Sequence, residues 1–347
     1  MSKQMQNKSA STISVMAFCG IDVGAKTLVV ALQRADQEGF QQRQFSNLAS
    51  GHKQLIAWLQ KSAIKTRVSL EATSTYSLDL ALALDAAPNI EVAVLNPKRV
   101  HQFAKTLRRS KTDKADAIVL AEYSLRMKFV AWQSPRSSAL ELKSISRYIA
   151  ALRQEHTRLG NRLHAARATH TTPLCVIRDL KLTMDRTQRR ILLMTRGAIT
   201  LIRQNAELQA KFESLIGIKG IAQTSAIQLL GELAGLDPSM TVRQWVALSG
   251  LDPEHRESGT SVHPRSHISR HGNRHLRRAL YMPALSGARF DPHFRAFYQQ
   301  LQNRQKTKLQ ALMAVARKLL HAIFGIFKTA TPYDGAKLFP NLQLITS

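Results

Sequence analysis

In Lys111-Thr112-Asp113-Lys114-Ala115-Asp116-Ala117 two acids stand three residues apart at the start of a helical pattern. That spacing puts both carboxylates on one helix face. Basic residues crowd the approach, at Lys105, Arg108, Arg109, Lys111 and Lys114. Paired acids in so cationic a segment suit a divalent cation working on a phosphodiester. The plainer reading is a helix start, where the macrodipole favours acids in the first turn. Acids elsewhere in the chain must decide.

Two qualify. Asp22 lies in Gly20-Ile21-Asp22-Val23-Gly24, between glycines that permit close approach of backbone or ligand. Glu71 lies in Ser69-Leu70-Glu71-Ala72-Thr73. Two like charges ~4 Å apart repel by roughly 4 kcal/mol at an effective dielectric of 20. A converged set therefore protonates or binds cations. Mg2+ takes oxygen ligands and keeps waters, so it is the expected cofactor, one or two ions per site.

The elements that would position these acids follow from periodicity. Strands are expected at 15–22, 27–32 and 39–45, joined by short turns as an antiparallel meander. A helix capped at Ser50 and carrying Leu55, Ile56 and Leu59 comes next, then a strand at 67–72, a helix at 76–86 and a strand at 91–95. Helices are expected at 97–108 and 113–130. This is the element order of an RNase H-like fold, a mixed sheet flanked by helices. Its first and fourth strands are neighbours, so Asp22 and Glu71 would project near one another. The Asp113/Asp116 helix would pack across their ends, and four carboxylates would converge.

The texture changes beyond residue 139. Leu142, Ile145, Ile149, Leu152, Leu159 and Leu163 recur in steps of three, four and seven, interrupted at His156. A helical coiled-coil spacer or hairpin over 139–213 is expected, broken at Pro173, as an oligomerisation element or as helices packed on their own domain. Leu215-Ile216-Gly217-Ile218-Lys219-Gly220-Ile221 has a helix-hairpin-helix-like pattern. Its glycines would let backbone approach a phosphate at a helix N-terminus. Residues 249–275 are dense in Gly, Ser, His and Arg, as suits phosphate chemistry or a nucleic-acid-contacting loop. The apolar face of Leu309, Leu312, Val315, Ala316, Leu319 and Ile323 reads as core. The expected domains are a disordered 1–14, an α/β domain over 15–132, the spacer, a mostly α domain over 214–330 and a loosely attached tail over 331–347.

Bulk properties agree with a polyanion partner. Lys plus Arg number 50 against 23 acids, a formal net charge of +27 in 347 residues. Such a surface attracts nucleic acid and releases its counterions. No apolar run approaches the ~20 residues of a membrane helix, and no signal-peptide pattern opens the chain. A cytoplasmic protein without a membrane partner is expected. Cys19 and Cys175 lack spaced partners, so neither a disulfide framework nor a zinc site is indicated.

Taken together, Gly20–Gly24, the Glu71 strand and Lys111–Ala117 resemble the RuvC-like DEDD domain of insertion-sequence transposases. Ile216–Gly220, Ala247-Leu248-Ser249-Gly250-Leu251-Asp252-Pro253, Glu257-Ser258-Gly259 and Ile268–Arg278 resemble that family's C-terminal transposase domain. The likeness covers nearly the whole chain and is to the bridge-RNA-guided recombinases with a serine nucleophile. It implies Mg2+ on Asp22, Glu71, Asp113 and Asp116. It implies Ser258 as nucleophile, with Ser261 second, forming a covalent phosphoserine intermediate. It implies double-stranded donor and target DNA, a structured non-coding guide RNA, and a tetramer of two dimers with composite active sites. The implied location is the bacterial cytoplasm, at the nucleoid when DNA-bound. Nucleic-acid contacts are expected from Lys98, Arg99, Arg108, Arg109, Lys111, Lys114, Gly217, Lys219, Gly220, Arg270, Asn273, Arg274, Arg277 and Arg278. The competing reading is a metal-dependent junction-resolving nuclease in which water attacks.

Overall fold

The computed structural model describes residues 16–34, 37–61, 64–72, 76–107, 112–254, 267–269 and 272–342. The chain divides into two compact units, Met1–Ser134 and Pro135–Ser347.

The first unit is built on five strands: β1 (Met16–Val23), β2 (Thr27–Gln33), β3 (Gln41–Ser46), β4 (Lys65–Glu71) and β5 (Ile90–Leu95). Their spatial order is β3-β2-β1-β4-β5. The three-strand meander is antiparallel, and β4 and β5 join it in parallel. β1 and β4 are thus neighbours, as the element order requires. One face of this pair is apolar, with Cys19, Ile21, Val68 and Leu70 fully buried side by side, while the other carries Gly20 and Asp22 on β1 and Ser69 and Glu71 on β4. The connections are helical: α1 (Ala49–Gln60) after β3 and α2 (Leu78–Asp85) after β4, then α3 (Pro97–Leu107) and α4 (Asp113–Arg126) after β5. α1 and α2 bury Leu55, Trp58, Leu80 and Leu84 in the sheet's core. α3 packs on α4 through Val100, Val119 and Leu120, with Phe103 edge-on to Tyr123 at 5.2 Å between ring centres.

The second unit is helical. α5 (Ser137–Ala168) and α6 (Leu174–Arg203) form the hairpin expected from the leucine spacing, turning at Thr169–Pro173. Leu142, Ile149, Ala198 and Ile202 at the hairpin's root belong to the main core of this unit. The rest is α7 (Ala206–Ile216), α8 (Gln223–Leu233), α9 (Val242–Ser249), a short ladder of β6 (Pro253–Glu254) with β7 (His267–Ile268), α10 (Arg274–Phe290), α11 (Pro292–Asn303), α12 (Lys308–Thr329) and α13 (Gly335–Leu338). α12 corrects one expectation. It is long and apolar enough to span a membrane by length and composition alone, though half of its apolar window is buried inside the protein. It is a core helix, with Val315, Leu319, Leu320 and Ile323 fully enclosed. The tail over 331–342 is also not loose. Tyr333 stacks on Phe294, and Phe339 packs edge-on against the same ring.

Candidate active site

Strand register brings Asp22 and Glu71 together. Gly20 pairs with Ser69 and Ile21 with Leu70 in the parallel β1–β4 ladder. The next position on each strand is an acid, so Asp22 and Glu71 stand side by side where the strands end. Both are half-buried. Side chains alternate faces along a strand, so Asp22 shares the face of Gly20 and Glu71 that of Ser69.

That face is covered by α4. A Cβ on Gly20 would lie 2.1 Å from the Ala117 carbonyl oxygen and 2.3 Å from the Ala121 nitrogen. The glycine is therefore there for close approach of backbone. Beside it, the Ser69 and Ser124 hydroxyls share a short hydrogen bond. Asp113 precedes Ala117 by one helical turn, so it continues the sheet-facing stripe toward the helix N-terminus. Asp116 is half-buried and Asp113 exposed. Thr112 caps the helix by accepting from the Ala115 N–H at 3.2 Å, and Gln42 on β3 donates to the Lys114 carbonyl at 3.1 Å. The first turn of α4 is thereby pinned to the sheet.

No group of three or more His, Cys, Asp or Glu side chains is drawn together closely enough to hold a metal ion among the described residues. The register joins two of the four expected acids, and the other two lie in the first turn of the helix that packs on Gly20 through Ala117 and Ala121. Such a donor set fits a hard divalent cation, since Mg2+ is usually bound through one or two carboxylates plus substrate phosphates rather than by a closed protein cage.

Sequence reasoning missed the amide that braces this end of the sheet. Asn47 Nδ2 donates to the Gly24 carbonyl at 2.9 Å and to the Tyr76 carbonyl at 3.1 Å. Gly24 is two residues past Asp22, and Tyr76 is five past Glu71. Two carbonyl acceptors fix the amide's orientation, so Asn47 Oδ1 faces His52 Nε2 at 2.8 Å and the imidazole must donate there. Burial holds the His52 pKa below the ordinary imidazole value, with the Asp79 charge acting the other way. In sequence, Ser46-Asn47-Leu48 is an ordinary loop, and nothing in it marks the contact.

The cationic residues expected at nucleic acid divide three ways. Lys98, Arg99 and Lys114 are exposed on α3 and α4, and Lys219, Arg274 and Arg278 are exposed on the second unit. Arg108, Arg109, Lys111, Arg270 and the serines Ser258 and Ser261 lie outside the described residues. Asn273, Arg277 and the glycines have internal partners. Asn273 Oδ1 caps α10 by accepting from His275 and Leu276, and its Nδ2 donates to Glu232 at 2.6 Å. Arg277 donates to the Ser249 carbonyl at 2.8 Å. Gly220 has φ +102°, and a Cβ there would lie 2.8 Å from the Gly287 nitrogen. The positive φ and the packing on α10 explain this glycine without a phosphate. Gly217 is exposed, with an ordinary right-handed cap conformation.

Glu232 was also not foreseen. It is 4% exposed among the buried apolar residues in the second half of α8 and takes two bonds from Arg147, at 2.6 and 2.9 Å. Burial opposes its ionisation. The hydrogen bonds from Arg147 and Asn273 and the charges of Arg147 and Lys143 nonetheless hold its carboxyl below the usual carboxylate range.

An α/β nuclease-like unit with paired acids at a strand end, followed by a helical unit, defines the class. Residues 19–168 match a transposase family, the DEDD transposase domain of IS110 elements. Residues 212–299 match the Transposase IS116/IS110/IS902 family. The chain carries both IS110-family transposase domains, in that order. It is 28% identical over 326 residues to the pilin gene-inverting proteins of Moraxella bovis and Moraxella lacunata, covering 91% of this chain and 97% of each relative. It is 32% identical over 120 residues to an uncharacterised protein of insertion element IS110 from Streptomyces coelicolor, covering 35% of this chain and 29% of that one. A DNA-processing transposase or recombinase is the function these likenesses support.

Proposed function

We propose that this protein is an RNA-guided DNA recombinase that cuts and exchanges donor and target strands, with Asp22, Glu71, Asp113 and Asp116 as the Mg2+-binding carboxylates. The observation that carries the metal assignment is the register that sets Asp22 beside Glu71 on the face covered by α4. The cation, when bound, stabilises charge developing on the phosphate oxygens. Asp22 and Glu71 supply oxygen donors from rigid strands, and Asp113 and Asp116 approach from a helix end pinned by Thr112 and Gln42.

Inversion of a gene, which the Moraxella relatives' name describes, requires broken strands to be rejoined. This favours a recombinase over a hydrolase. By its resemblance to the guided recombinases, the chain takes Ser258 as nucleophile, with Ser261 the alternative. The hydroxyl oxygen bonds to phosphorus as one strand P–O bond breaks. The hydroxyl proton goes to a base, and the phosphoserine diester keeps the bond energy for resealing onto a second strand. A structured non-coding RNA would pair with donor and target DNA. Leu174, Leu182, Leu192 and Leu193 are exposed along the hairpin's second arm, which supports self-association, here taken as a tetramer of two dimers in the cytoplasm. The second reading, water as nucleophile, is favoured by the carboxylates themselves, since such sites activate water without any serine.

The test is incubation of the full chain with Mg2+, guide RNA and labelled donor and target DNA, followed by denaturing electrophoresis. A protein–DNA adduct lost in Ser258→Ala, with cleavage lost in Asp22→Asn, is expected. Cleavage that persists without an adduct in Ser258→Ala and Ser261→Ala establishes the water reading. Adduct formation unaffected by Asp22→Asn and Glu71→Gln would refute the carboxylate site.

A further inference from the structure

The second unit contains a cavity of about 1170 Å3 that none of the four expected acids lines. It is larger than the ~300–1,000 Å3 typical of small-molecule clefts. Three helices supply most of its walls. α10 contributes Arg274, Arg278, Tyr281 and Met282, α12 contributes Leu309, Met313 and Arg317, and the start of α8 contributes Thr224 and Ser225. Arg153, Arg277 and Lys306, with Arg274, Arg278 and Arg317, bring the lysines and arginines lining it to six. No acid lines the cavity among the described residues, and none of the six is in an ion pair there.

The chemistry of this wall is divided. Exposed Tyr281, Met282 and Leu309 present apolar surface to the opening, at 40%, 57% and 59% exposure. A small metabolite site would match an apolar wall with a few convergent polar groups, whereas six cations call for several phosphates. A duplex would present phosphates but no free base faces. An aromatic ring and a thioether set among guanidinium groups suit bases taken out of a stack. One further feature favours phosphate: Ala222, before the first residue of α8, provides no side-chain cap, so the first N–H groups of that helix add to the positive potential of the wall.

We infer that this cavity binds an unpaired stretch of nucleic-acid strand, with bases against Tyr281 and Met282 and phosphates on Arg274, Arg278, Lys306 and Arg317. The inference rests on the recombinase reading, since strand exchange must open a duplex. It adds to that reading a place for the opened strand. The cavity lies at the base of the β6–β7 ladder, because Pro253, His267 and Ile268 also line it.

The experiment uses the full chain and short oligonucleotides carrying 2-aminopurine, as single-stranded DNA, as duplex, and as RNA of the same sequence. Single strands should bind more tightly than duplex, with 2-aminopurine fluorescence quenched. Tyr281→Ala should weaken single-strand binding roughly 5- to 100-fold and relieve the quenching, while Tyr281→Phe retains both. Lys306→Gln and Arg317→Gln should each lower the salt dependence of log affinity by about one unit of slope. The DNA and RNA arms decide which strand is preferred.

Unchanged single-strand affinity and quenching in Tyr281→Ala and in Lys306→Gln/Arg317→Gln, with recombination intact, would overturn the cavity assignment alone. A changed association state in Tyr281→Ala with unchanged affinity would make the cavity an interface between copies, and would equally overturn it. Absence of any DNA cleavage by the unmodified protein, with single-strand binding still lost in Tyr281→Ala, would instead remove the recombinase reading and leave the strand site standing. Tyr281 is exposed enough for alanine to be tolerated, and a circular-dichroism melt checks that it is.

Discussion

His52 donates to Asn47 across 2.8 Å, and through that one amide the turn after Asp22 is tied to the segment after Glu71. The contact makes the spacing of the two acids depend on a loop residue more than twenty positions from either. Asn47→Ala leaves two carbonyls and an imidazole N–H without their partner. These groups are part-buried or exposed, so water replaces part of what is lost, and a loss of stability of about 0.5–1.5 kcal/mol is expected in a urea melt. The Mg2+ concentration for half-maximal cleavage should rise, and calorimetry should show weaker binding of Mn2+ used as a probe. Equal loss of stability with unaltered metal affinity would show that Asn47 holds the fold and not the acids.

His52 also makes the first unit sensitive to acid. Its folded pKa is lowered by burial from 6.5, so folding favours the neutral ring. The contribution is complete above pH 6.5 and is lost as pH falls from there through the folded value. Protonation adds a proton at Nδ1 and spares the bond to Asn47, so the loss is the cost of burying charge. With Trp245→Phe, only Trp58 and Trp132 remain to report, both in the first unit. Their unfolding midpoint should fall between pH 7 and 5, and His52→Gln should flatten that dependence.

Gly20→Ala tests how closely α4 must lie on β1. A methyl placed 2.1 Å from the Ala117 carbonyl cannot be absorbed by a side-chain movement, because the obstacle is backbone. The helix must lift, carrying Asp113 and Asp116 with it. Overpacking of this kind costs about 1–3 kcal/mol. Cleavage should drop at least tenfold, while binding of duplex DNA stays within twofold. Full activity in Gly20→Ala would mean the acids of α4 need not lie near the strands.

The sheet was legible because β1, β2 and β4 are dense in buried apolar residues, and their neighbours follow from element order. β1 and β4 need no knowledge of side-chain contacts to set Asp22 beside Glu71. Gly20 showed only that something approaches closely. What approaches is α4, about a hundred residues later; its packing across the strand ends was expected from the fold's element order and not from any local pattern around Gly20. Asn47 and His52 stayed hidden for a related reason, since their importance comes from which carbonyls the folded loops present. Glu232 was hidden among the apolar residues that end α8, and its partner Arg147 lies 85 positions away. The 249–275 stretch gave its composition but not the β6–β7 ladder, because a two-residue pairing has no periodicity to read. The tail looked detachable because its anchors, Tyr333 and Phe339, are single aromatics in a polar context.

Glu232 sets the last prediction. Its two oxygens receive Arg147 and Asn273, and Asn273 in turn caps α10, the helix that carries Arg274 and Arg278. Glu232→Gln keeps the shape, and its oxygen can take the position that accepts from Arg147 Nη2 and Asn273, which leaves its amide N–H facing the Arg147 Nε donor and removes the charge. Arg147 is 40% exposed at its side chain, so solvent screens part of the lost charge pairing. The expected cost is about 1–3 kcal/mol at pH 7, mainly from unpaired buried groups. The folded pKa of Glu232 is depressed below 4.5, so the stabilisation is present above 4.5 and is lost as pH falls through the folded value. Urea melts of the wild-type chain and Glu232→Gln should therefore differ at pH 7 and converge toward pH 3. A gap that persists unchanged at pH 3 would show that the glutamate's charge contributes nothing to holding α10.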